Sequence, residues 1–316
     1  MSAQVLQGPG DYLERVDRAD LLPRIARRVI AAPRSAGSSL DQLEAVLSGE
    51  PRLIQCVLGV AGTPLIGVRS HNDTLRRALW RLGSGARGVV AALALRGAGR
   101  GGPWGELLWR HSEATGWIAR MLARYMRGVG TDELFVAGLL HELGLLLLLG
   151  LEPGATGAML EAHGAESSSL IRAEIERWGF CHGRLSAECL RAWHLPPRAA
   201  ELIEHHHCSV DQLRGLRGDL RPVAALQIAD ALATPLLSGA GVQELHRRLV
   251  QHPMGIHLHV PRGARIAVLG TLVEHRGELI SPGPDPRGGD ASGLAPGGSK
   301  PCSSADRIQG GAEPSS

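Results

Sequence analysis

The most apolar stretch of the chain, residues 135–151, contains two adjacent polar residues, His141 and Glu142, near its centre. A transmembrane helix needs about 20 predominantly apolar residues, so this stretch is too short, and too polar at its middle, to span a membrane. We therefore expect a helix in the core of a globular domain. Because an unpaired buried charge is costly, the two polar residues need partners, and His111 and Asp230 are candidates. The pattern predicts a polar cluster inside a packed core.

The composition favours helices around that cluster. Aromatic residues make up 3% of the 316 residues, so leucine, alanine, valine and isoleucine must fill the interior. Leucine and alanine are better suited to helices than to sheets. The hydrophobic share of 44% and the charged share of 21% are ordinary for a globular protein. We predict an all-α, multi-helical bundle.

Charge and cysteine content argue against nucleic-acid binding and against a cysteine-based zinc motif. The formal net charge is +3, Lys300 is the single lysine, and no basic run is interleaved with aromatic residues, which disfavours nucleic-acid binding. The five cysteines form no CxxC pair, and the N-terminus resembles no secretory signal, so we expect reduced thiols in the cytoplasm. Cys181, Cys189 and Cys208 lie near histidines, but their spacing fits small buried hydrophobic residues better than a zinc motif.

Gly/Pro content and apolar periodicity suggest the organisation of the chain. The segment Gly97–Gly105 holds five glycines and a proline and is predicted to be a loop between two helical subdomains. Residues 266–280 fit either a helix or a small hairpin. In chain order we predict a loose leader at 1–17, an N-terminal helical subdomain at 18–97, a second helical subdomain at 104–212, a helical extension at 213–280 that completes the core, and a disordered tail at 281–316.

Histidines and carboxylates recur in these predicted helices. In order they are His111, His141 with Glu142, His182, His205 to His207, and Asp230. Imidazole nitrogens mixed with carboxylates are what a hydrolytic dimetal centre requires, and a bundle can deliver such ligands from several helices. The alternatives are hydrogen-bonded core histidines and, for the triple histidine, a helix C-terminus where cationic side chains are favourable.

This order of motifs resembles the HD superfamily of metal-dependent phosphohydrolases, and more closely its HDOD branch, over about residues 20–210. The segment 107–123, LLWRHSEATGWIARMLA, resembles the first histidine helix of that branch, and 132–149, DELFVAGLLHELGLLLLL, resembles its "aGLLHDIG" segment. Further likeness lies in 175–207 and, in the N-terminal half, in 21–30, 38–65 and 74–83.

The resemblance implies an HDOD domain at 18–212 and a role in bacterial signal transduction, through binding a ligand, a signalling protein or a second copy. It places the superfamily's ligand positions on His111, His141, Glu142, His182, His206, His207 and Asp230, and a divalent metal there would be Fe, Mn or Mg. A metal-dependent phosphohydrolase acting on a nucleotide or phosphate ester is the alternative.

Glu142 is the main departure from the superfamily, which has a metal-bridging Asp at this place. The extra methylene moves the carboxylate by about one C–C bond, roughly 1.5 Å, whereas metal sites tolerate a few tenths of an ångström. Gly62 and Thr63 stand where the branch has Asn-Ser, and no Gly-Tyr-Pro element follows His207. We therefore assign no catalytic residue and expect a non-catalytic module.

Overall fold

The computed structural model describes residues 8–32, 39–63, 65, 74–96, 102–164, 168–213 and 218–280. Regular structure in these ranges is helical throughout, which confirms the all-α prediction. The predicted disordered tail 281–316, residues 1–7 of the predicted leader and residues 97–101 of the predicted loop lie outside the described ranges. The helices of the N-terminal part are α1 Pro9–Arg18, α2 Arg24–Ala31, α3 Ser39–Leu47, α4 Pro51–Ala61, α5 Leu75–Arg81 and α6 Ala86–Leu95.

The prediction of a loose leader is wrong from residue 8 onward, because Pro9–Arg18 forms α1. Gly8 precedes the helix in an extended conformation, and Pro9 occupies the first helical position, where its missing N–H costs nothing. Tyr12 and Val16, one turn apart, are buried against α9 and α12 (bounds below). The Tyr12 hydroxyl also donates a hydrogen bond to Oε1 of Glu152 at 3.1 Å. Two buried apolar side chains and this bond hold α1 on the domain.

The central helices carry most of the predicted motifs. The loop prediction is wrong for residues 102–105, because the long helix α7, which ends at Ala123, already begins at Gly102. Proline at residue 103 is tolerated there, since it lies in the first turn. The central helices are α7 Gly102–Ala123, α8 Thr131–Leu140, α9 Leu143–Leu151, α10 Pro153–His163, α11 Ser168–Trp178, α12 His182–Ala192 and α13 Pro197–Glu204.

The C-terminal helices extend this core. The ambiguous stretch 266–280 is helical, since it falls within α17 and α18. The helix α15 packs along α7 and brings Asp230 to the interior. The helices are α14 Val210–Leu213, α15 Arg221–Leu237, α16 Val242–Gln251, α17 Arg262–Glu274 and α18 Arg276–Ile280. The subdomain boundaries themselves stay predictions.

The apolar segment forms two helices instead of one. Gly144 N–H, which in a continuous helix would donate to the carbonyl of Leu140, donates instead to Oγ of Ser186 at 2.7 Å. The chain bends at His141 and Glu142, between α8 and α9. Within the described ranges, Thr131–Leu151 is the one segment long and apolar enough to cross a membrane, but 83% of its apolar window is buried inside the protein. That burial is a property of a core helix.

Two glycines allow helices to approach closely around this bend. A Cβ atom on Gly138 of α8 would lie 2.4 Å from Cα of Gly116 on α7, and one on Gly144 of α9 would lie 2.2 Å from the carbonyl oxygen of His182. Real Cβ atoms are never this close to backbone atoms, so both contacts require glycine. They fix α7 against α8 and α9 against the start of α12, which carry the predicted site residues.

Candidate metal centre

The helices α7 and α15 bring the first predicted pair together. Nε2 of His111 lies 2.8 Å from Oδ1 of Asp230, and Nδ1 lies 3.3 Å from the Thr234 hydroxyl, one turn further along α15. Burial alone would raise the pKa of Asp230, but the hydrogen bond from His111 and the nearby ring of His141 lower it well below its ordinary value. Asp230 is therefore an anion that faces imidazole nitrogens.

His141 ends α8 and points its Nε2 into the centre. Its Nδ1 lies 2.7 Å from the carbonyl oxygen of Gly138, and because a carbonyl can only accept, Nδ1 carries the proton. In the neutral ring Nε2 is then unprotonated. This atom is buried and has no hydrogen-bond partner among the described residues, and it lies 3.5 Å from Oδ1 of Asp230. The ring is arranged as a metal-ligating histidine usually is.

Glu142 lies between the two halves of the centre. Its Oε1 is 3.6 Å from Nε2 of His141, and its Oε2 is 3.3 Å from Nε2 of His182. Glu142 precedes α9 with φ −90° and ψ 6°, and the residue is buried. The two oxygens thus face different histidines, as the oxygens of a bridging carboxylate would. The extra methylene has not removed the carboxylate from the centre.

His182 is held by a carboxylate that the sequence patterns did not reveal. Glu174 of α11 is fully buried, and it accepts hydrogen bonds from the backbone N–H of His182 at 2.9 Å and from Nδ1 at 2.8 Å. Burial alone would lower the pKa of His182, but the charges of Glu174 and Glu142 outweigh it and raise the pKa to about 10. Glu174 fixes the ring so that Nε2 faces the centre.

His206 and His207 follow α13 and complete the cluster. Nδ1 of His206 donates to the carbonyl oxygen of Ile203 at 2.5 Å, which leaves its buried Nε2 without a partner among the described residues. Nε2 of His207 lies 2.9 Å from Nε2 of His182. Burial, together with the neighbouring histidines, lowers the pKa of His207 to about 3 and that of His206 well below its ordinary value. Both rings are neutral at physiological pH and can act as ligands.

All seven predicted site residues therefore converge, in two adjoining groups. In each group, one potential ligand atom per residue lies within 4.8 Å of the others. One group is His111, His141, Glu142 and Asp230, and the other is His182, His206 and His207.

A divalent metal fits this centre on the chemistry of its atoms. Nε2 of His141, Oε2 of Glu142 and Nε2 of His206 are buried without hydrogen-bond partners among the described residues. Buried polar atoms are rarely left unpaired, and each of these three is an acceptor suited to a cation. The two groups can accordingly hold metal, and neither contains a cysteine. The zinc alternative built on Cys181, Cys189 and Cys208 gains no support from the described residues.

Glu174 could have been found from its helix. Leu170, Glu174 and Trp178 recur at four-residue spacing and are all buried, so Glu174 occupies a core position of α11. A carboxylate on such a position requires a partner, eight residues before a histidine of the motif. Ser186 was also missed: its hydroxyl lies 2.9 Å from the carbonyl oxygen of His141 and ties α12 to the bend.

Two histidines that the motif leaves out, His205 and His252, lie outside the two ligand groups. His205 ends α13 and is half-buried, 3.8 Å from Sγ of Cys208. His252 is half-buried and caps the turn after α16 through its Nδ1, which accepts a hydrogen bond from the N–H of Met254 at 3.2 Å. Burial lowers the pKa of His252, while the charge of Asp230 opposes that shift.

Comparison with solved structures shows the same architecture. An HDOD domain protein of unknown function from Geobacter sulfurreducens is 20% identical, with a TM-score of 0.58 over 85% of this chain and 96% of that one. A presumed phosphohydrolase from Shewanella amazonensis SB2B is 22% identical, with a TM-score of 0.62 over 85% of this chain and 98% of that one. At such identities the likeness establishes the fold alone.

A third structure and the sequence comparisons complete this picture. A presumed signal-transduction protein from Marinobacter aquaeolei VT8 is 19% identical, with a TM-score of 0.54 over 88% of this chain and 66% of that one. No match was found among curated proteins. The family model described as the HDOD domain matches residues 20–209, which is more than half of the chain. The chain belongs to the HDOD family.

Proposed function

We propose that this protein is a non-catalytic signalling module of the bacterial cytoplasm, which acts by binding a ligand or a protein partner. Family membership supports a regulatory role, and so does the fold shared with the presumed signal-transduction protein from Marinobacter aquaeolei. The proposal concerns what the metal centre is used for. A module of this kind needs a stable core and a surface that responds to its input, whereas turnover at the centre is not required.

The observation that carries the proposal is the closure of the centre. His141 and His182 have no exposed surface, and Glu142 and His206 are 1% and 2% exposed. A hydrolase has to bring a phosphorus atom next to the water that its ligands activate. Among the seven residues, only His207 and Asp230 are half-buried, and His111 is 3% exposed. A centre so enclosed is suited to holding an ion as part of the core.

The ligand set supports Fe, Mn or Mg as the bound ion. Imidazole nitrogens favour iron among these metals, whereas carboxylate oxygens favour manganese and magnesium. His111 and Asp230 illustrate the mixture, since they contribute one ligand of each type in the same group. Metal bound to folded protein alone stabilises the fold by mass action, so the centre would act as a clamp on helices α7, α12 and α15.

The second candidate function is a phosphohydrolase acting on a nucleotide or another phosphate ester. The position of Glu142 favours it, because its two oxygens face His141 and His182 in separate groups. Two divalent ions bridged in this way would lower the pKa of a bound water and stabilise charge on a phosphoryl group. Under this alternative the residues His207 and Asp230 would form the mouth of the site.

Metal analysis combined with a turnover assay separates the two functions. Protein purified without chelator is analysed for Fe, Mn and Mg and assayed with bis(p-nitrophenyl) phosphate, p-nitrophenyl phosphate and nucleoside triphosphates. We expect metal that is lost in His141→Ala and no turnover in either protein. His194→Ala, a change outside the centre, serves as the matched control. Turnover that depends on the metal and disappears only in His141→Ala would establish the hydrolase instead.

For the partner we propose a signalling protein or a second copy of this chain, with no role for a membrane or nucleic acid. Two large apolar side chains support a protein contact: Trp80 is 73% exposed and Ile256 is 78% exposed. Light scattering coupled to size exclusion would test self-association of the wild type and of Trp80→Ala and Ile256→Ala. Retention on DNA that weakens with salt would contradict the proposal.

A further inference from the structure

A cleft of about 670 Å³ lies beside the metal centre, between the first half of α7, the end of α10 and the end of α15. We call it the α7 cleft. Its walls are largely apolar and include Trp104, Leu107, Leu108 and Leu237. Pockets that bind small molecules have volumes of about 300–1,000 Å³, with apolar walls and a few polar groups. The size and walls of the α7 cleft fit a small molecule with an apolar body.

The charge in the cleft comes from Arg110. No aspartate or glutamate is found among the described lining residues, and Arg110 makes no salt bridge among the described residues. Its Nε is buried without a hydrogen-bond acceptor in the described structure. A guanidinium is always charged and presents its donors in a planar fork that suits carboxylate and phosphate oxygens. An unpaired donor on a permanent cation therefore favours an anionic group on the ligand.

Polar side chains connect the cleft to the metal centre. Thr234 and His111 line the cleft, and Nδ1 of His111 lies 3.3 Å from the Thr234 hydroxyl. The other ring nitrogen of His111 is the one that faces Asp230 at 2.8 Å. A molecule in the cleft would thus contact a side chain that also belongs to the centre. A ligand in the cleft would therefore contact α7 and α15, two of the helices that carry residues of the metal centre.

We propose that the α7 cleft binds a small amphipathic anion, with its apolar body against Trp104 and Leu237 and its single anionic head on Arg110. The head is a carboxylate or a phosphate monoester, since both present oxygens to a guanidinium in the same way. The role of the α7 cleft as the site that receives the module's input signal rests on the proposed signalling function. Binding itself is independent of that function.

Titration calorimetry with three ten-carbon probes tests the proposal on full-length protein. Decanoate, decyl phosphate and decanol share one apolar body and differ in the head group. The two anions are used below their micelle-forming concentrations, and decanol is used below its solubility limit. We expect one saturable site for an anionic probe and binding of decanol at least about tenfold weaker, because a charge-assisted hydrogen bond is lost. The tighter of the two anions identifies the head group. Equal affinity for decanol, or no saturable binding by either anion, would overturn the proposal.

Two variants and a matched control assign the site. Arg110→Gln is expected to weaken the anionic probe by about tenfold or more, and Leu237→Trp, which fills the cleft, is expected to abolish binding. Arg124→Gln makes the same change on an exposed arginine just beyond α7, outside the cleft, and should bind as wild type does. Circular dichroism confirms that each variant is folded. Wild-type affinity in both cleft variants would contradict the assignment.

The calorimetry is performed on chelator-treated and metal-loaded protein, so that its outcome is separate from the function of the centre. Metal-dependent turnover with an intact probe site would overturn the signalling function and leave the cleft assignment standing. Absence of probe binding in both preparations would overturn the cleft assignment, whatever the metal and turnover assays show.

Discussion

Nε2 of His182 and Nε2 of His207 lie 2.9 Å apart, so the two rings share one hydrogen between them. The surrounding charges decide which ring carries it. The carboxylates of Glu174 and Glu142 overcome the effect of burial and raise the pKa of His182 to about 10, whereas burial lowers the pKa of His207 to about 3. Without metal, His182 is therefore a cation that donates to Glu174 and to His207. Metal would take the place of the shared hydrogen.

Metal binding is accordingly predicted to release about one proton per ion bound in this group, because His182 must lose its Nε2 proton to become a ligand. Below pH 10 the affinity should rise by about tenfold for each unit of pH, since His182 stays protonated up to its pKa of about 10. Calorimetry in buffers of different ionisation enthalpy measures the number of protons released. An affinity independent of pH between 6 and 9 would show that His182 is not displaced.

Removal of the buried carboxylate is predicted to destabilise the protein strongly. Glu174→Ala leaves the cationic ring of His182 without its partner in a site with no exposed surface, and breaking such a pair costs about 3–5 kcal/mol. Chemical denaturation of metal-free protein measures the change in the free energy of unfolding. Glu176→Ala, an exposed residue of the same helix, should change it by less than about 0.5 kcal/mol. Equal effects of the two changes would remove the special role of Glu174.

Shortening the side chain of Glu142 is predicted to reduce the amount of metal that the two ligand groups retain. In Glu142→Asp the carboxylate withdraws by roughly 1.5 Å and cannot keep one oxygen near His141 and the other near His182. Because metal sites tolerate deviations of a few tenths of an ångström, we expect less retained metal than in the wild type. Metal content after gel filtration gives the answer. An increase in metal accompanied by new phosphodiesterase activity would instead identify a hydrolase weakened by its longer side chain.

The helix crossing beside the bend offers a test of the fold. Gly138→Ala would place a methyl group 2.4 Å from Cα of Gly116, so α7 and α8 must move apart, at a cost of about 3 kcal/mol or more. Gly157→Ala is the control, because it also lies inside a helix but has open space around the added atom. It should stabilise the protein by up to about 1 kcal/mol. Thermal unfolding distinguishes the two, and similar melting temperatures would refute the tight crossing.

Local signals in the sequence predicted the helical class, and the family resemblance supplied the seven residues that the structure brings together. Periodic apolar residues predict helices such as α11 and α15, and the order of His111, His141 and His206 matches a family pattern. Convergence then follows from the fold of the family. The pattern also included Glu142, whose oxygens lie between His141 and His182 in the structure although the length of the side chain argued against that position.

The remainder depended on contacts that local signals do not encode. α1 was missed because its Gly and Pro residues suggest a loop, although Pro9 is also a helix-start signal, and its stability comes from burying Tyr12 and Val16. The sequence did not predict the bend between α8 and α9, because the residues that precede and follow it are mostly apolar and read as one continuous helix. It requires Ser186 of a distant helix, which accepts the N–H of Gly144.

That bend gives the centre a mechanical property. His141 belongs to the end of α8, which is fixed against α7, while Glu142 starts α9, which is fixed against α12 and His182. The peptide bond between His141 and Glu142 therefore joins two closely packed pairs of helices, each of which carries predicted ligands. A change in the angle between the pairs would alter the distances from His111 and His141 to Glu142 and His182 more than the distances within either pair. If two paramagnetic ions were bound in these two groups, their spin–spin coupling would report the angle between the helix pairs.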